Sequence, residues 1–372
     1  MEKGYFHEVR RLGADGQPVT SMVPVVQELA RQGLKYLPER FIREEMEAPP
    51  FSSNVGEGEE GPPVINMQNL NHDAEAEHRA KELAKLAKVA KEWGVFFIKH
   101  NGIPLDLLNS LQDMVKGFFS LSFEDKKESV GTYASTDNLG YGRSFIKSDD
   151  QRLDWIDRLS MRAAPKNSTL GLHVWPTNPK DFRTVMEKYV EEARKICDEL
   201  LQALAEALGL DTKSFLRYLE PSESIVNVRV NYYPPCPRPD LAMGLTSHSD
   251  GSVLTLLAQF GETDGLEVFK EATWVRLAFP PEALVVVVGD FLEIMSNGIL
   301  QSPWHRAVTH KDKERFSTAL FYNPPLQAEI EPVKELRTGE IRYKKVVMGD
   351  YLKHYYDVHP CKEKQAIRFA KV

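Results

Sequence analysis

Beyond Pro221 the chain carries seven short apolar, β-branched runs in succession, "SIVNVRVNYY", "GSVLTLLAQF", "LEVFK", "TWVRLAF", "ALVVVVGDFLEIM", "HRAVTH" and "RFSTALFYN". Turn chemistry separates them, in "PPCPRPD", "TDG", "FPPEA" and "SNG". Parallel neighbours would need crossovers of a dozen or more residues, usually helical, and none of that length and pattern intervenes. The block therefore has to close as an antiparallel sandwich or barrel rather than as βαβ units.

Upstream the pattern is mixed, which makes the whole chain α+β. The segment from Pro24 has helical spacing up to about Pro38, and the Pro-, Gly-, Ser- and Glu-rich stretch from Glu45 to Pro63 reads as a linker. "VINMQNL" then reads as a first strand. From Ala76 to Gly94, Leu83, Leu86, Ala87, Ala90 and Trp93 fall on one helical face, with lysines on the other. "VFFIKHNGIP" follows as a buried strand and turn, and a second helix opens at Pro104. A long helix is expected from about Lys180 to Leu208, and "VVMGDYLKHYYDVHP" returns to helix at the C-terminal end. The expected division is an N-terminal extension and linker over 1–62 and a mixed α/β region over 63–220. A β core over 221–332 and a helical segment over 333–372 complete it.

Composition removes several function classes. A formal net charge of −7 and the lack of a dense Lys/Arg run argue against a nucleic-acid partner. Three cysteines, Cys197, Cys236 and Cys361, are too few and too scattered for a disulfide framework or a thiolate zinc site. No apolar window approaches a membrane span, and the first residues have no signal-peptide pattern. The expectation is a cytoplasmic monomer acting on a small molecule, away from nucleic acid and membrane.

The chemistry concentrates in "HSDGSVLTLL". If His248 and Asp250 lie on one strand, residues i and i+2 present an imidazole and a carboxylate to the same side. His305 in "SPWHRAV" is the candidate for a third ligand on a neighbouring run. Two imidazoles and one carboxylate on one face of an iron leave positions open, the arrangement used for non-haem Fe(II) oxygenation. An HxD pair alone also occurs on turns and surface strands. Arg315 and Ser317 share a strand face in "RFSTALFYNP", where a guanidinium fork and a hydroxyl suit one end of a dicarboxylate; alone, Arg315 would read as a surface ion pair. Arg229, Asn231 and Tyr233 likewise share a face in "NVRVNYYPPCPRPD".

With these residues in place, the sequence resembles the plant-type Fe(II)- and 2-oxoglutarate-dependent dioxygenases. The resemblance rests on "NYYPPCPRPD", "HSDGSVLTLL", "SNGILQSPWHRAV" and "RFSTALFYNP" in family order, with "KEWGVFFIKHNGIP", "GYG" and "LDWIDRL" upstream. It covers about Pro63 to Pro332, and the start "VQELARQGLKYLPERF" looks like the extension of the family's specialised-metabolism branch. The resemblance implies a double-stranded β-helix (jelly-roll) barrel with flanking helices. His248, Asp250 and His305 would hold Fe(II), Arg315 and Ser317 the distal carboxylate of 2-oxoglutarate, and Tyr233 with Asn231 would lie near its chelating end. O2 and ascorbate are the further expected reagents. The implied reaction is hydroxylation or oxidative demethylation of a small, apolar, ring-containing plant metabolite, an alkaloid or a phenolic, coupled to formation of succinate and CO2. A hormone-modifying dioxygenase, gibberellin-like or ethylene-forming, is the second reading, and a jelly-roll binder without turnover the third.

Two positions depart from the family pattern: "HNG" stands for the usual "NHG" at His100 and Asn101, and Val287 replaces a common Asn. Strand parity adds substrate-facing residues, Phe321 and Asn323 continuing the face of Arg315, and Arg229 that of Asn231. Tyr141 sits in the GYG loop expected at the cavity mouth, with Phe145 behind it. Each of these aromatics could equally be ordinary core.

Overall fold

A computed structural model describes residues 5–12, 17–43, 61–130, 139–142, 146–165, 174–220, 222–261, 263–337, 339–361 and 363–372. The first half supplies β1 (Phe6–Leu12), β2 (Pro18–Pro24), α1 (Val26–Arg31), β3 (Val64–Asn66), α2 (Met67–Leu70), α3 (Ala76–Glu92) and β4 (Val95–Lys99). Next come α4 (Leu105–Ser120), α5 (Phe123–Val130), β5 (Gly140–Tyr141), β6 (Asp157–Ala164) and α6 (Phe182–Ala207). The second half adds β7 (Ile225–Tyr233), β8 (Met243–His248), β9 (Leu254–Phe260), β10 (Leu266–Lys270), β11 (Thr273–Arg276) and β12 (Leu284–Val288). It closes with α7 (Asp290–Met295), β13 (His305–Val308), β14 (Arg315–Asn323), β15 (Glu329–Ile330), β16 (Val346–Val347) and α8 (Met348–Val358).

Two sheets form the jelly roll. The major sheet has eight strands in the order β3-β4-β12-β9-β14-β7-β6-β5, and the minor sheet four, β11-β10-β13-β8. Strands β3 to β6 of the N-terminal half pair directly into the sheet built by the C-terminal half, so one continuous ladder spans both. Parity divides the major sheet. Phe96 and Ile98 of β4, and Val226, Val228 and Val230 of β7, pack with α3 and α6 on the outside. Val95 and Phe97 of β4 and Val285 and Val287 of β12 instead meet Leu266 and Val268 of the minor sheet. Burial on both faces explains why "LVVVV" reads as unbroken apolar sequence. On β7 the inward positions are Asn227, Arg229, Asn231 and Tyr233, so the sheet that is core at one end is polar cavity at the other.

Several elements differ from expectation for local reasons. "MQNL" is a short helix because Asn66 ends the strand and its side chain accepts the Gln68 N–H at 3.1 Å as an N-cap. The run "ALVVVVGDFLEIM" breaks at Gly289, where a Cβ would lie 1.9 Å from the Ser252 carbonyl, and continues as α7. Gly94 ends α3 with φ +66, its N–H reaching the Val89 carbonyl at 3.1 Å, and a Cβ there would sit 1.9 Å from the Gln301 carbonyl. The expected N-terminal helix shrinks to α1. A hairpin, β1–β2, precedes it. Apart from residues 61–63, the expected linker lies outside the described residues.

The N-terminal extension is seated on the outside of β6 by buried polar contacts. The Asp157 carboxylate accepts the N–H groups of Val26 and Gln27 at 3.3 and 2.7 Å, capping the start of α1. Lys126, fully buried, donates to the Gln27 side chain and lies 5.2 Å from the centre of the Tyr141 ring. Burial pulls the Lys126 pKa down from 10.5 to about 8, against the opposing charge of Asp157. Below about pH 8 folded and unfolded chains both hold this proton. Between about 8 and 10.5 only the unfolded chain does, so stability rises with pH across that window. Urea denaturation should show wild type gaining about 2 to 3 kcal/mol relative to Lys126→Met between about pH 7 and 10. Parallel pH curves for the two proteins would contradict the assignment.

Candidate metal centre and adjoining cavity

His248 is the last residue of β8, and Asp250 lies in the turn that follows, before β9 begins. The two do not share a strand, so strand parity is not what brings them together. Their side chains converge because the turn folds the carboxylate back toward the imidazole: His248 Nε2 and Asp250 Oδ1 are 3.7 Å apart. His305, the first residue of β13, is the register partner of His248 across the minor sheet. Its Nε2 lies 3.8 Å from the same Asp250 oxygen, and the two imidazole centroids are 4.3 Å apart. One donor atom from each of the three lies within 4.8 Å of the others, a group able to hold a metal ion.

The surroundings aim these donors. His248 Nδ1 donates to the Thr246 carbonyl at 2.9 Å and His305 Nδ1 to the Pro303 carbonyl at 3.1 Å. A carbonyl only accepts, so each Nδ1 carries a proton and each Nε2 faces the common point. Burial, and then the neighbouring His305, push the His248 pKa well below its usual value, which keeps the ring neutral. The turn bearing Asp250 is fixed from below. The Asp290 N–H donates to the Asp250 carbonyl at 2.8 Å, and Tyr355 on α8 donates its hydroxyl to the Ser249 carbonyl at 2.7 Å. Asp290 Oδ2 in turn accepts from Ser249 Oγ and Tyr351 Oη at 3.1 and 2.7 Å.

The triad opens into an inner chamber of about 590 Å³ between the sheets, lined also by Asn231, Tyr233, Arg315, Ser317 and Phe321. Arg315 and Ser317 stand opposite Tyr233 and Asn231 in the β14–β7 ladder, so all four project from adjacent strands to one side. Asn231 Nδ2 donates to Ser317 Oγ at 3.2 Å. Arg315 is 3% exposed; its Nε donates to Gln259 at 2.7 Å, while Nη1 is buried without a partner in the protein. Such an orphaned guanidinium donor calls for an anionic acceptor from outside the chain. Burial depresses its pKa and Tyr233 opposes the shift. An outer chamber of about 580 Å³ joins at Arg158, Arg229, Leu245 and His248, which line both, and extends to Tyr355 and His359 on the C-terminal side.

The remaining residues expected from the sequence are distributed unevenly. Arg229 and Phe321 reach the cavity, with the Arg229 guanidinium 5.1 Å from the Phe321 ring centre. That ring is thereby covered on one face by a protein cation. Asn323 is buried at the end of β14 and lines neither chamber. Tyr141 also lines neither: its ring sits 4.8 Å from that of His7 and 5.6 Å from that of Phe118, under the N-terminal hairpin. Phe145 lies outside the described residues. Sequence reasoning passed over Arg158, Leu245, Tyr355 and His359. Arg158 was readable only with the β6–β7 register, and Tyr355 and His359 only once α8 was known to cross the cavity mouth. Their i, i+4 spacing was the available signal.

A model of the 2OG-Fe(II) oxygenase superfamily matches residues 225–324, and one described as non-haem dioxygenase in morphine synthesis, N-terminal, matches 62–178. Codeine O-demethylase of Papaver somniferum is 39% identical over 324 residues, 86% of this chain and 87% of the relative. Oxoglutarate-dependent flavonoid 7-O-demethylase 1 of Ocimum basilicum is 36% identical, over 89% of this chain and 86% of the relative. Among solved structures, JOX2 in complex with 2OG, Fe and JA superposes with TM-score 0.81 at 28% identity, covering 96% of this chain and 98% of that one.

The hydrogen bonds to Thr246 and Pro303 fix an observable state. Nitrogen-15 NMR of the metal-free protein near neutral pH should show the His248 imidazole neutral, with its proton on Nδ1. An Nε2–H signal for that ring would contradict this geometry.

Proposed function

This chain belongs to the 2OG-Fe(II) oxygenase superfamily, and from that premise we propose that His248, Asp250 and His305 hold its Fe(II). As a member it is an oxidoreductase dependent on Fe(II) and 2-oxoglutarate. The donor set fits this metal: two neutral imidazole nitrogens and a carboxylate bind divalent iron while leaving coordination positions for other ligands. When bound, the iron supplies the oxidation of substrate by O2, coupled to decarboxylation of 2-oxoglutarate to succinate and CO2.

The chain's own residues bind and orient. Arg315 Nη1 and Ser317 Oγ would hold the distal carboxylate of 2-oxoglutarate, and Tyr233 and Asn231 the wall beside its other end. The observation that carries this reading is the orphaned Arg315 donor, which shares one chamber with the three converging ligands. Closely packed apolar side chains, Leu257, Leu266 and Val287 among them, line the same space and limit water there. The substrate is read as a small, apolar, ring-containing plant metabolite, an alkaloid or a phenolic, that is hydroxylated or O-demethylated. The two relatives, a codeine and a flavonoid demethylase, support that reading. Three free cysteines support a reducing, cytoplasmic setting, and no helix among the described residues is long and apolar enough to cross a membrane.

The direct experiment incubates the protein anaerobically with Fe(II), 2-oxoglutarate and a plant metabolite extract, then admits oxygen. Succinate should rise in a substrate-dependent way. His305→Ala and Asp250→Ala should each abolish this while leaving the fold intact, and full turnover in either would remove the metal assignment. Arg315→Lys should weaken 2-oxoglutarate binding by roughly 10- to 150-fold, since an ammonium cannot reproduce the two-pronged contact. Unchanged 2-oxoglutarate saturation in that variant would refute the pocket.

A further inference from the structure

We propose that the substrate carries a hydroxyl group, a phenol or an alcohol, that donates a hydrogen bond to Nε2 of His359 in the outer chamber. This rests on the oxygenase reading and narrows its substrate class. His359 follows the last turn of α8, lines the outer chamber and is 7% exposed. Its Nδ1 donates to the Tyr355 carbonyl at 2.8 Å, and because a carbonyl only accepts, that nitrogen carries a proton. Nε2 is buried with no hydrogen-bond partner among the described residues. Burial pulls the pKa of the ring down from 6.5 to about 4, so near neutral pH Nε2 is an acceptor and not a donor.

A buried acceptor left without a donor is costly, so whatever fills the chamber has to supply one. Water meets that need in the free protein. A substrate hydroxyl that displaces the water keeps the bond, whereas an ether in the same place loses it. The acceptor is also fixed in direction. The imidazole stacks on the Tyr355 ring with centroids 4.0 Å and planes 27° apart, and the His359 backbone N–H reaches the same Tyr355 carbonyl at 3.2 Å. Tyr355 in turn donates its hydroxyl to the Ser249 carbonyl at 2.7 Å, within the turn that carries Asp250. One tyrosine therefore positions both the acceptor and the turn of the metal-capable group. His248 lines the same chamber as His359, and Arg315 lines only the inner one. A molecule anchored at His359 thus extends toward the triad and leaves the Arg315 end to 2-oxoglutarate.

The charges around His359 select among donors. A protonated amine also donates to an imidazole, but the Lys147 ammonium is bound to the Asp357 carbonyl, two residues before His359, and its charge already opposes a proton on that ring. A second cation at Nε2 would meet the same repulsion, and a neutral hydroxyl does not. Asp250, whose charge works the other way, belongs to the triad, where a bound metal ion would offset it. The carboxylate that lines the outer chamber, Asp154, is taken up by Arg43 at 2.6 Å and by the Thr246 hydroxyl. This separates hydroxylated ring compounds from cationic alkaloids that share the same apolar body.

Three probes with one apolar body test this: 3-phenylpropan-1-ol, its methyl ether and 3-phenylpropylamine. Each is titrated calorimetrically, under anaerobic conditions, into the protein loaded with Fe(II) and 2-oxoglutarate. The alcohol should bind roughly three- to tenfold tighter than the ether, the effect of one neutral hydrogen bond, with the amine weakest. His359→Phe keeps a ring on Tyr355 and removes the acceptor, while His359→Asn keeps a donor for the Tyr355 carbonyl and likewise removes the acceptor. Both should bring alcohol and ether to within about twofold of each other. His359→Gln, whose amide oxygen reaches the place of Nε2, should retain part of the preference, and all three variants should bind 2-oxoglutarate as wild type does. Equal binding of alcohol and ether by wild type overturns the proposal. So does an alcohol preference that survives in both His359→Phe and His359→Asn, or an amine that binds tightest of the three. Weakened 2-oxoglutarate binding in every variant also overturns it, since His359 would then support the site rather than touch substrate. Binding of 2-oxoglutarate by wild type is measured first; its failure strikes the oxygenase reading, whereas intact 2-oxoglutarate binding with no alcohol preference strikes the His359 seat alone.

Discussion

The turn between β8 and β9 has to hold a carboxylate against two imidazoles, and much of the surrounding structure serves that placement. A turn is the least constrained kind of backbone, so Asp250 would wander if only its neighbours held it. Here α7 and α8 hold it. The Asp290 N–H and the Tyr355 hydroxyl bond the carbonyls of Asp250 and Ser249, and the Asp290 side chain gathers Ser249 and Tyr351 on its far oxygen. The imidazoles need less help, because His248 and His305 are register partners in one ladder and each Nδ1 is tied to a carbonyl of its own segment. Two of the three side chains are placed by regular pairing, and the third by long-range anchoring.

The major sheet then acts as a ruler for the cavity. Successive residues of β7 alternate between valines packed on the helices and polar groups turned inward, so one strand is at once core and binding wall. Pairing with β14 on one side sets Ser317 opposite Asn231 and Arg315 opposite Tyr233; pairing with β6 on the other sets Arg158 opposite Asn231. A one-residue slip in either ladder would turn these groups into the helix layer, where burial of unpartnered guanidinium is prohibitive. The polar cavity face and the apolar helix face thus fix the register together.

Strand β6 also joins the N-terminal extension to this wall. Asp157 points outward to cap α1 and meet Lys126, and Arg158, the next residue, points into the cavity. Arg43, at the end of the described extension, reaches both Asp154 and Thr246, the residue whose carbonyl orients His248. The extension is therefore built into the support of the site.

Much of the site was legible in linear order, because ligand types, a guanidinium with a hydroxyl two residues on, and strand parity are local properties. "RFSTALFYN" and "NVRVNYY" read correctly as faces since alternation is intrinsic to an extended chain. The His248–Asp250 pair was legible as chemistry while its local structure was misread, because HxD at a strand end and HxD within a strand are the same letters. Strand β8 itself went unread: its glycine weakens the strand signal of so short a run, and pairing with β13 makes it one. Tyr141 looked like a lid and became the seat of a hairpin, since an aromatic next to two glycines does not reveal what will cover it. Sequence alone determined the antiparallel β core and the class of chemistry, because residue type and short-range periodicity decide those, and it singled out the three side chains that the fold gathers at one point. Tertiary structure decided which arginines share the cavity, that the Phe321 ring lies under Arg229, and that the C-terminal helix holds the Asp250 turn, because each depends on contacts between segments tens to hundreds of residues apart.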